Sequence, residues 1–344
     1  MPSAIEWTDE TWNPVVGCSR VSPGCENCYA ETMAARQVLM SQGLGRESVY
    51  LPVVDAERRR WTREVAVLTE RLADPLAYKP GTRVFVVSMG DPFHDGVPFE
   101  FLLKMWVVMG ARRDVTFQVL TKRPARMLEF LQWLRNRANH DAARGGGVYL
   151  VGDKELPGPA YWPDALPNVW LGVSVEDQRC ADERIPLLLK APAPVHFLSC
   201  EPLLGPLDLS EWIERIDFCG SCEAENDPQE DDECPACGAT SSLISTWGAE
   251  QAERYRTRER YTTPAGDSDV DGVTPQIGWI IVGGESGPGA RPMRADWVRS
   301  LRDQCEQAGP KFFFKQWGGV NKKTAGRVLD GRTHDAMPEV RNAT

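Results

Sequence analysis

Six short stretches of the chain are apolar at nearly every position: Arg83–Met89, Val115–Leu120, Val169–Val175, Pro194–Ser199, Gly278–Gly283 and Lys311–Phe314. Runs this short, rich in Val, Ile and Phe and without alternation, predict strands buried on both faces, as in a parallel sheet. Pro14-Val15-Val16-Gly17 reads as a first strand ahead of them. Helical periodicity fills the gaps. Phe101, Leu102, Met105, Trp106 and Met109 share one face of Phe99–Arg113, and Met127, Leu128, Leu131 and Leu134 do so in Ala125–Ala138. Pro98 and Pro124 open these helices, where the N–H that proline lacks has no partner anyway. Ala295–Ala308 places Trp297, Leu301 and Cys305 on one stripe and stops at Gly309-Pro310. Strand and helix in alternation predict an α/β fold.

The segment 217–275 breaks the rhythm. It is far longer than the usual link of 2–6 residues. It holds four cysteines and an acidic run from Glu223 to Glu233, then turns polar and Gly/Asp-rich. It reads as an inserted minidomain with a flexible tail. Residues 1–216 then form the first part of the main domain, 276–320 its last strands, and 321–344 a polar, poorly ordered C-terminal tail.

Composition narrows the class. The 344 residues are 42% hydrophobic and 26% charged, as in a globular protein. With 39 Lys and Arg against 49 Asp and Glu, the net charge of −10 repels nucleic acid except at a local basic patch. No apolar run is long enough to span a bilayer, and Met1–Trp7 does not resemble a signal peptide, so a cytoplasmic setting and no membrane partner are expected. Cysteines in a reducing compartment hold metal or do redox work more often than they form disulfides.

Seven of the ten cysteines lie in two tight groups. The first is Cys18, Cys25 and Cys28, at C-x6-C-x2-C in a Gly/Pro/Ser-rich loop. Three thiolates suit a [4Fe–4S] cluster with one iron left open. A zinc site completed by a distant ligand is the alternative. The second group is Cys219, Cys222, Cys234 and Cys237, two C-x2-C knuckles separated by eleven residues. It suits tetrahedral Zn²⁺ in a zinc ribbon, with iron as the alternative because thiolates accept both. Metal binding would supply the folding energy of so polar an insert.

Trp12-Asn13-Pro14, Gly17-Cys18, Ser22-Pro23-Gly24-Cys25 and Cys28-Tyr29-Ala30 resemble the phage Gp-thirty-seven/sixty-eight family, a group similar to radical S-adenosylmethionine (SAM) enzymes. The resemblance continues through Thr121–Pro124, Gly172–Glu176, Glu201-Pro202-Leu203, Gly283–Gly287 and Lys315–Gly319. It covers most of the chain except 217–275 and the C-terminal tail, and implies an open (β/α)6 TIM-like partial barrel of parallel strands, into which the zinc ribbon read from the second cysteine group is inserted. It implies a [4Fe–4S] cluster on Cys18, Cys25 and Cys28, SAM on the open iron, and reductive cleavage of SAM to start radical chemistry. The common radical SAM spacing is C-x3-C-x2-C; here the first gap is six. A reductant protein for the cluster, a nucleic acid or nucleotide substrate, and a protein partner are the partners expected. A non-catalytic zinc-binding adaptor is the rival class.

Polar residues follow the predicted strands, where a barrel builds its active site. By position Gly90 and Asp91 look like the family segment that holds the SAM amino group, and Asp91, His94 and Asp95 are a weak metal trio. Lys122 is placed to grip a carboxylate or phosphate. Glu176 is a candidate for the ribose hydroxyls, against a simple helix-capping role for its neighbourhood. Gly283, Gly284 and Glu285 permit close backbone approach, as at an adenosine. Cys200 and Glu201 are the candidate catalytic residues.

Overall fold

A computed structural model describes residues 3, 5–142, 147–151, 153–157, 165–213, 216–219, 225–226, 243–246 and 277–339. Seven strands form one sheet: β1 (Glu10–Trp12), β2 (Arg83–Val86), β3 (Thr116–Thr121), β4 (Val169–Ser174), β5 (His196–Cys200), β6 (Ile277–Gly283) and β7 (Lys311–Gln316). Their order in space is their order in sequence, and every pairing is parallel. Helices run between them: α1 (Tyr29–Gly43), α2 (Phe99–Ala111), α3 (Pro124–Ala142), α4 (Gln178–Leu188) and α5 (Ala295–Ala308), with a short helix Ser210–Ile213 after β5. The result is a TIM-like partial barrel.

The first strand is not the one expected. Val15–Val16 leaves the sheet and pairs antiparallel with Ala66–Val67, while Glu10–Trp12 takes the edge beside β2. Trp12 is fully buried there, and its indole N–H donates to the Arg71 carbonyl at 2.7 Å.

The sheet is buried on both faces, as its apolar runs require. Alternate residues of one strand point to opposite faces. Val84, Phe117, Leu171, Leu198, Ile280 and Phe312 face the helices. Phe85, Trp170, Phe197, Trp279 and Phe313 face inward around Trp7, which plugs the bottom of the half-barrel. The Gln118 amide, also inward, donates to the Trp7 carbonyl.

The chain after Gly319 was expected to be loosely held. Instead its described part, to residue 339, packs along the outer edge of β7. The Phe314 N–H bonds the His334 carbonyl, Leu329 is fully buried, and Asp330 pairs with Arg299 and Arg302 of α5. Its backbone, at His334 and Asp335, satisfies the edge strand.

In the insert, Glu225–Asn226, Ile216–Cys219 and Leu243–Thr246 form a three-stranded antiparallel sheet. Cys222, Cys234 and Cys237 lie outside the described residues, and only the backbone of Cys219 is described. Among the described residues, no helix is long and apolar enough to cross a membrane.

Candidate functional site

The strands end on one cavity of about 1160 Å³ that continues into the barrel lumen. Typical pockets for one drug-sized ligand are about 300–1,000 Å³, so this space is roomy enough for more than one small molecule. Cys18, Cys25 and Cys28 all line it.

Two glycines bring the cysteine loop to this place. Gly17 has φ +93, a conformation that side chains avoid. A Cβ on Gly90 would lie 2.6 Å from the Gly17 carbonyl oxygen. The two form an isolated parallel bridge that carries the chain from β2 past the loop. Gly90 therefore works through its backbone. Just before it, Val87 has φ +62, a costly conformation for a β-branched residue. Hydrogen bonds hold the bend: Val87 N–H to the Trp12 carbonyl, and Ser88 Oγ and Met89 N–H to Asn13 Oδ1. Strain of this kind clusters at functional sites.

The loop then turns through Pro23–Cys25 in one 3-10 turn and enters α1 with Cys28 as N-cap. Each sulfur meets a different environment. Burial pushes the Cys18 thiol up to about 12, against the Arg123 guanidinium, whose Nη1 lies 3.6 Å from its Sγ. Burial also raises Cys28, partly offset by backbone amides at the start of α1. Burial opposes ionisation of Cys25 too. There the Lys122 ammonium, backbone amides and the Ser22 hydroxyl, 3.7 Å from Sγ, outweigh it and lower the pKa. Cys25 is thus the most acidic thiol of the three.

Two buried carboxylates carry the loop. Asp91 accepts from Thr121 Oγ1 at 2.7 Å, from the N–H groups of Lys122 and Phe93, and from Arg123 Nη1 at 3.0 Å. Arg123 Nη2 donates in turn to the Ser19 carbonyl and hydroxyl, both at 2.9 Å. His94 Nδ1 accepts the Gly96 N–H, so neutral His94 donates through Nε2 to Ser19 Oγ at 2.9 Å. Asp95 is 87% exposed, so the trio of Asp91, His94 and Asp95 does not converge on a metal.

Glu176 is fully buried. It pairs with Lys122, and with Arg184 at 2.9 Å, and accepts the Ser22 hydroxyl at 2.9 Å. Burial would raise its pKa, but the two cations hold it at about 2. All of its capacity is spent inside the protein, so it is not a group for ribose hydroxyls. Lys122 neutralises Glu176 and also lines the cavity.

On the other side, Glu285 accepts from Asn27 Nδ2 and Arg291 Nε, each at 2.9 Å, and Arg291 Nη2 reaches the Pro23 carbonyl. Glu285 thus locks the loop to β6. The glycines beside it serve close packing. A Cβ on Gly284 would lie 2.0 Å from the Trp317 carbonyl oxygen, and one on Gly283 would lie 2.4 Å from Glu201 Oε1. Gly284 and Glu285 line the cavity beside this packed edge.

Cys200 points outward, fully buried in the core beneath the helices, and burial raises its thiol well above the usual value. It does not line the cavity. Glu201, one residue on, does, and pairs with Lys315 at 3.1 Å.

The profile of a family described as proteins of unknown function (DUF5131) matches residues 2–338. The chain belongs to the DUF5131 family. No curated protein and no solved structure matches it. The DUF5131 match spans both the barrel and the insert, so the cysteine loop, its carboxylate supports and the second cysteine group all fall within the family's extent.

Sequence reasoning missed Asn13, Asn27, Arg184, Arg291 and Lys315. Most sit inside or beside motifs already singled out. Arg184 carries no signal of its own, since its role exists only once α4 packs against β4.

Proposed function

We propose that this protein is a radical SAM-like iron–sulfur enzyme with an inserted zinc ribbon. The observation that carries the reading is that Cys18, Cys25 and Cys28 open onto one large cavity at the C-terminal ends of a parallel half-barrel. The donor set fits the cluster. Three soft sulfur ligands lie in one loop; the Lys122 ammonium and nearby hydrogen-bond donors favour thiolate at Cys25, while burial opposes it at Cys18 and Cys28. Among the described residues, no three His, Cys, Asp or Glu side chains are grouped to hold a single ion. A cube asks less convergence, because each thiolate bonds a different iron.

A [4Fe–4S] cluster held by three thiolates supplies an open iron for SAM and the electron that cleaves its sulfonium. The protein's own contributions are positional. Asp91 and Arg123 fix Cys18, Glu176 and Lys122 support the turn at Cys25, and Glu285 and Arg291 close the loop. Glu201, Lys315 and Ser199 offer the polar groups of a bound SAM a carboxylate, an ammonium and a hydroxyl in the lumen. Trp7 and the aromatic ring around it keep water from the floor. The four thiols of the insert would hold Zn²⁺ as a folding staple. The resemblance that suggests the chemistry also suggests a nucleic acid or nucleotide as the target.

The test is anaerobic purification. The protein should be brown, contain iron and sulfide, and release 5′-deoxyadenosine from SAM with a reductant. Colourless protein with zinc in place of iron would overturn the reading and favour the adaptor.

A further inference from the structure

The rim of the cavity contradicts the charge of the molecule. The chain carries −10 overall. Yet the cavity wall carries eight Lys or Arg against five Asp or Glu. Five of the cations, Arg20, Arg58, Arg59, Arg60 and Arg71, are arginines of the loop and of the segment between α1 and β2. Three of them come from one hairpin, Val54–Asp55 paired with Arg60–Trp61.

The hairpin is built onto the cysteine loop. Glu31, buried in α1, accepts from Arg20 Nη2 at 2.6 Å, from the Trp61 N–H at 3.2 Å and from Arg60 Nη1 at 3.4 Å. Arg60 also donates to the Glu26 carbonyl of the loop at 2.9 Å. Arg20 and Arg60 are thus anchors. The tip is different. Asp55 Oδ1 accepts the Arg58 N–H and sets the turn, and Arg59 sits at φ +53. The Arg58 side chain is 83% exposed, with its one carboxylate partner at 3.5 Å. Arg59 and Arg71 make no ion pair among the described residues. Three exposed arginines with little or no ion pairing therefore line the same cavity as the thiols.

We propose that Arg58, Arg59 and Arg71 bind the phosphates of a single-stranded or locally opened nucleic acid and feed one nucleotide into the cavity. A guanidinium matches phosphate by a two-pronged hydrogen bond. In an acidic protein, these five arginines lining one cavity, two of them without an ion pair among the described residues, make a local basic patch suited to an anion. The recess favours a splayed strand over a duplex, because a base must leave its stack to enter a concave site. This assignment deepens the function proposed above by naming its substrate, but the binding it predicts needs no cluster.

The experiment is fluorescence anisotropy with a labelled 20-mer single-stranded DNA or RNA, run on the full chain and on its Cys25→Ala variant across a salt series. Both proteins should bind, with affinity falling as salt rises. Losing two phosphate contacts reduces the slope of log K against log salt by about 1.4 for single strands, which is about 25-fold weaker binding at 0.1 M salt. Arg58→Ala/Arg59→Ala should show that loss, while Arg179→Ala, exposed on α4 away from the cavity, should not. Equal binding by the double variant and the parent, or equally tight binding of a poly-glutamate competitor, overturns the proposal. Strand binding by protein that holds no iron leaves it standing and removes the radical reading.

Discussion

Gly24 rests directly on Glu176: a Cβ at this glycine would lie 2.4 Å from Glu176 Cγ and 2.5 Å from its Oε1. The loop between Cys18 and Cys28 thus takes its shape from a carboxylate that the chain reaches only after β4. Gly24→Ala must lift the loop, because the atoms it meets are pinned by Lys122 and Arg184. We expect the variant to reconstitute with less than half the iron of the parent, while its iron-free form melts as the parent does. Full iron content would show that the contact is incidental.

Glu176→Gln should damage the fold more than the loop. It leaves the buried Arg184 and the partly buried Lys122 without their counter-charge. Breaking a buried ion pair from one side costs about 3–5 kcal/mol. Urea unfolding of the iron-free protein would read this as a lower midpoint at unchanged slope. Adding Lys122→Met should recover part of it, because one uncompensated charge is then removed.

Acid should weaken the barrel through His196. It is buried at the start of β5, where burial lowers its pKa to about 4 and Nε2–H donates to the Ala191 carbonyl at 2.7 Å. The unfolded chain takes up a proton near pH 6.5 that the folded chain refuses until about pH 4. Stability from this residue is therefore complete above pH 6.5 and drains away as pH falls towards 4, by about 3 kcal/mol in all. His196→Gln should be less stable at pH 7.5 and should lose less between pH 6.5 and 4.5. Parallel curves for the two proteins would remove His196 as the cause.

The cysteines should differ sharply in reactivity. In the iron-free protein at pH 8, iodoacetamide should label Cys25 first, since its thiol is the acidic one, and leave Cys200 untouched. Peptide mass spectrometry over time gives the order. Early labelling of Cys200 would contradict its place in the core.

Removal of single ligands separates the two metal sites. Cys25→Ala should abolish the iron-dependent colour and Cys222→Ala should spare it while lowering bound zinc. Equal loss of iron in both variants would show that the division between cluster and ribbon is wrong.

The alternation of apolar runs and amphipathic stretches by itself determined the parallel α/β sheet, because a strand buried on both faces has no polar face to hide. Six of the seven sheet strands and α2, α3 and α5 stand where that pattern put them, to within a few residues. Thiol chemistry and spacing likewise singled out Cys18, Cys25 and Cys28 before any contact was known. The first strand was not legible, since Val15–Val16 is the more apolar run and Glu10–Trp12 earns its edge only through the buried Trp12. Nor was the packing of the C-terminal segment, whose partners lie on β7 and α5. Above all, the role of each charge escaped the sequence. Glu176 is a candidate ligand along the chain and a structural keystone in space, because Lys122 and Arg184 meet it only when two neighbouring strand–helix units are side by side. Spacing tells which atoms can do chemistry; only their neighbours across the fold tell which are left free to do it.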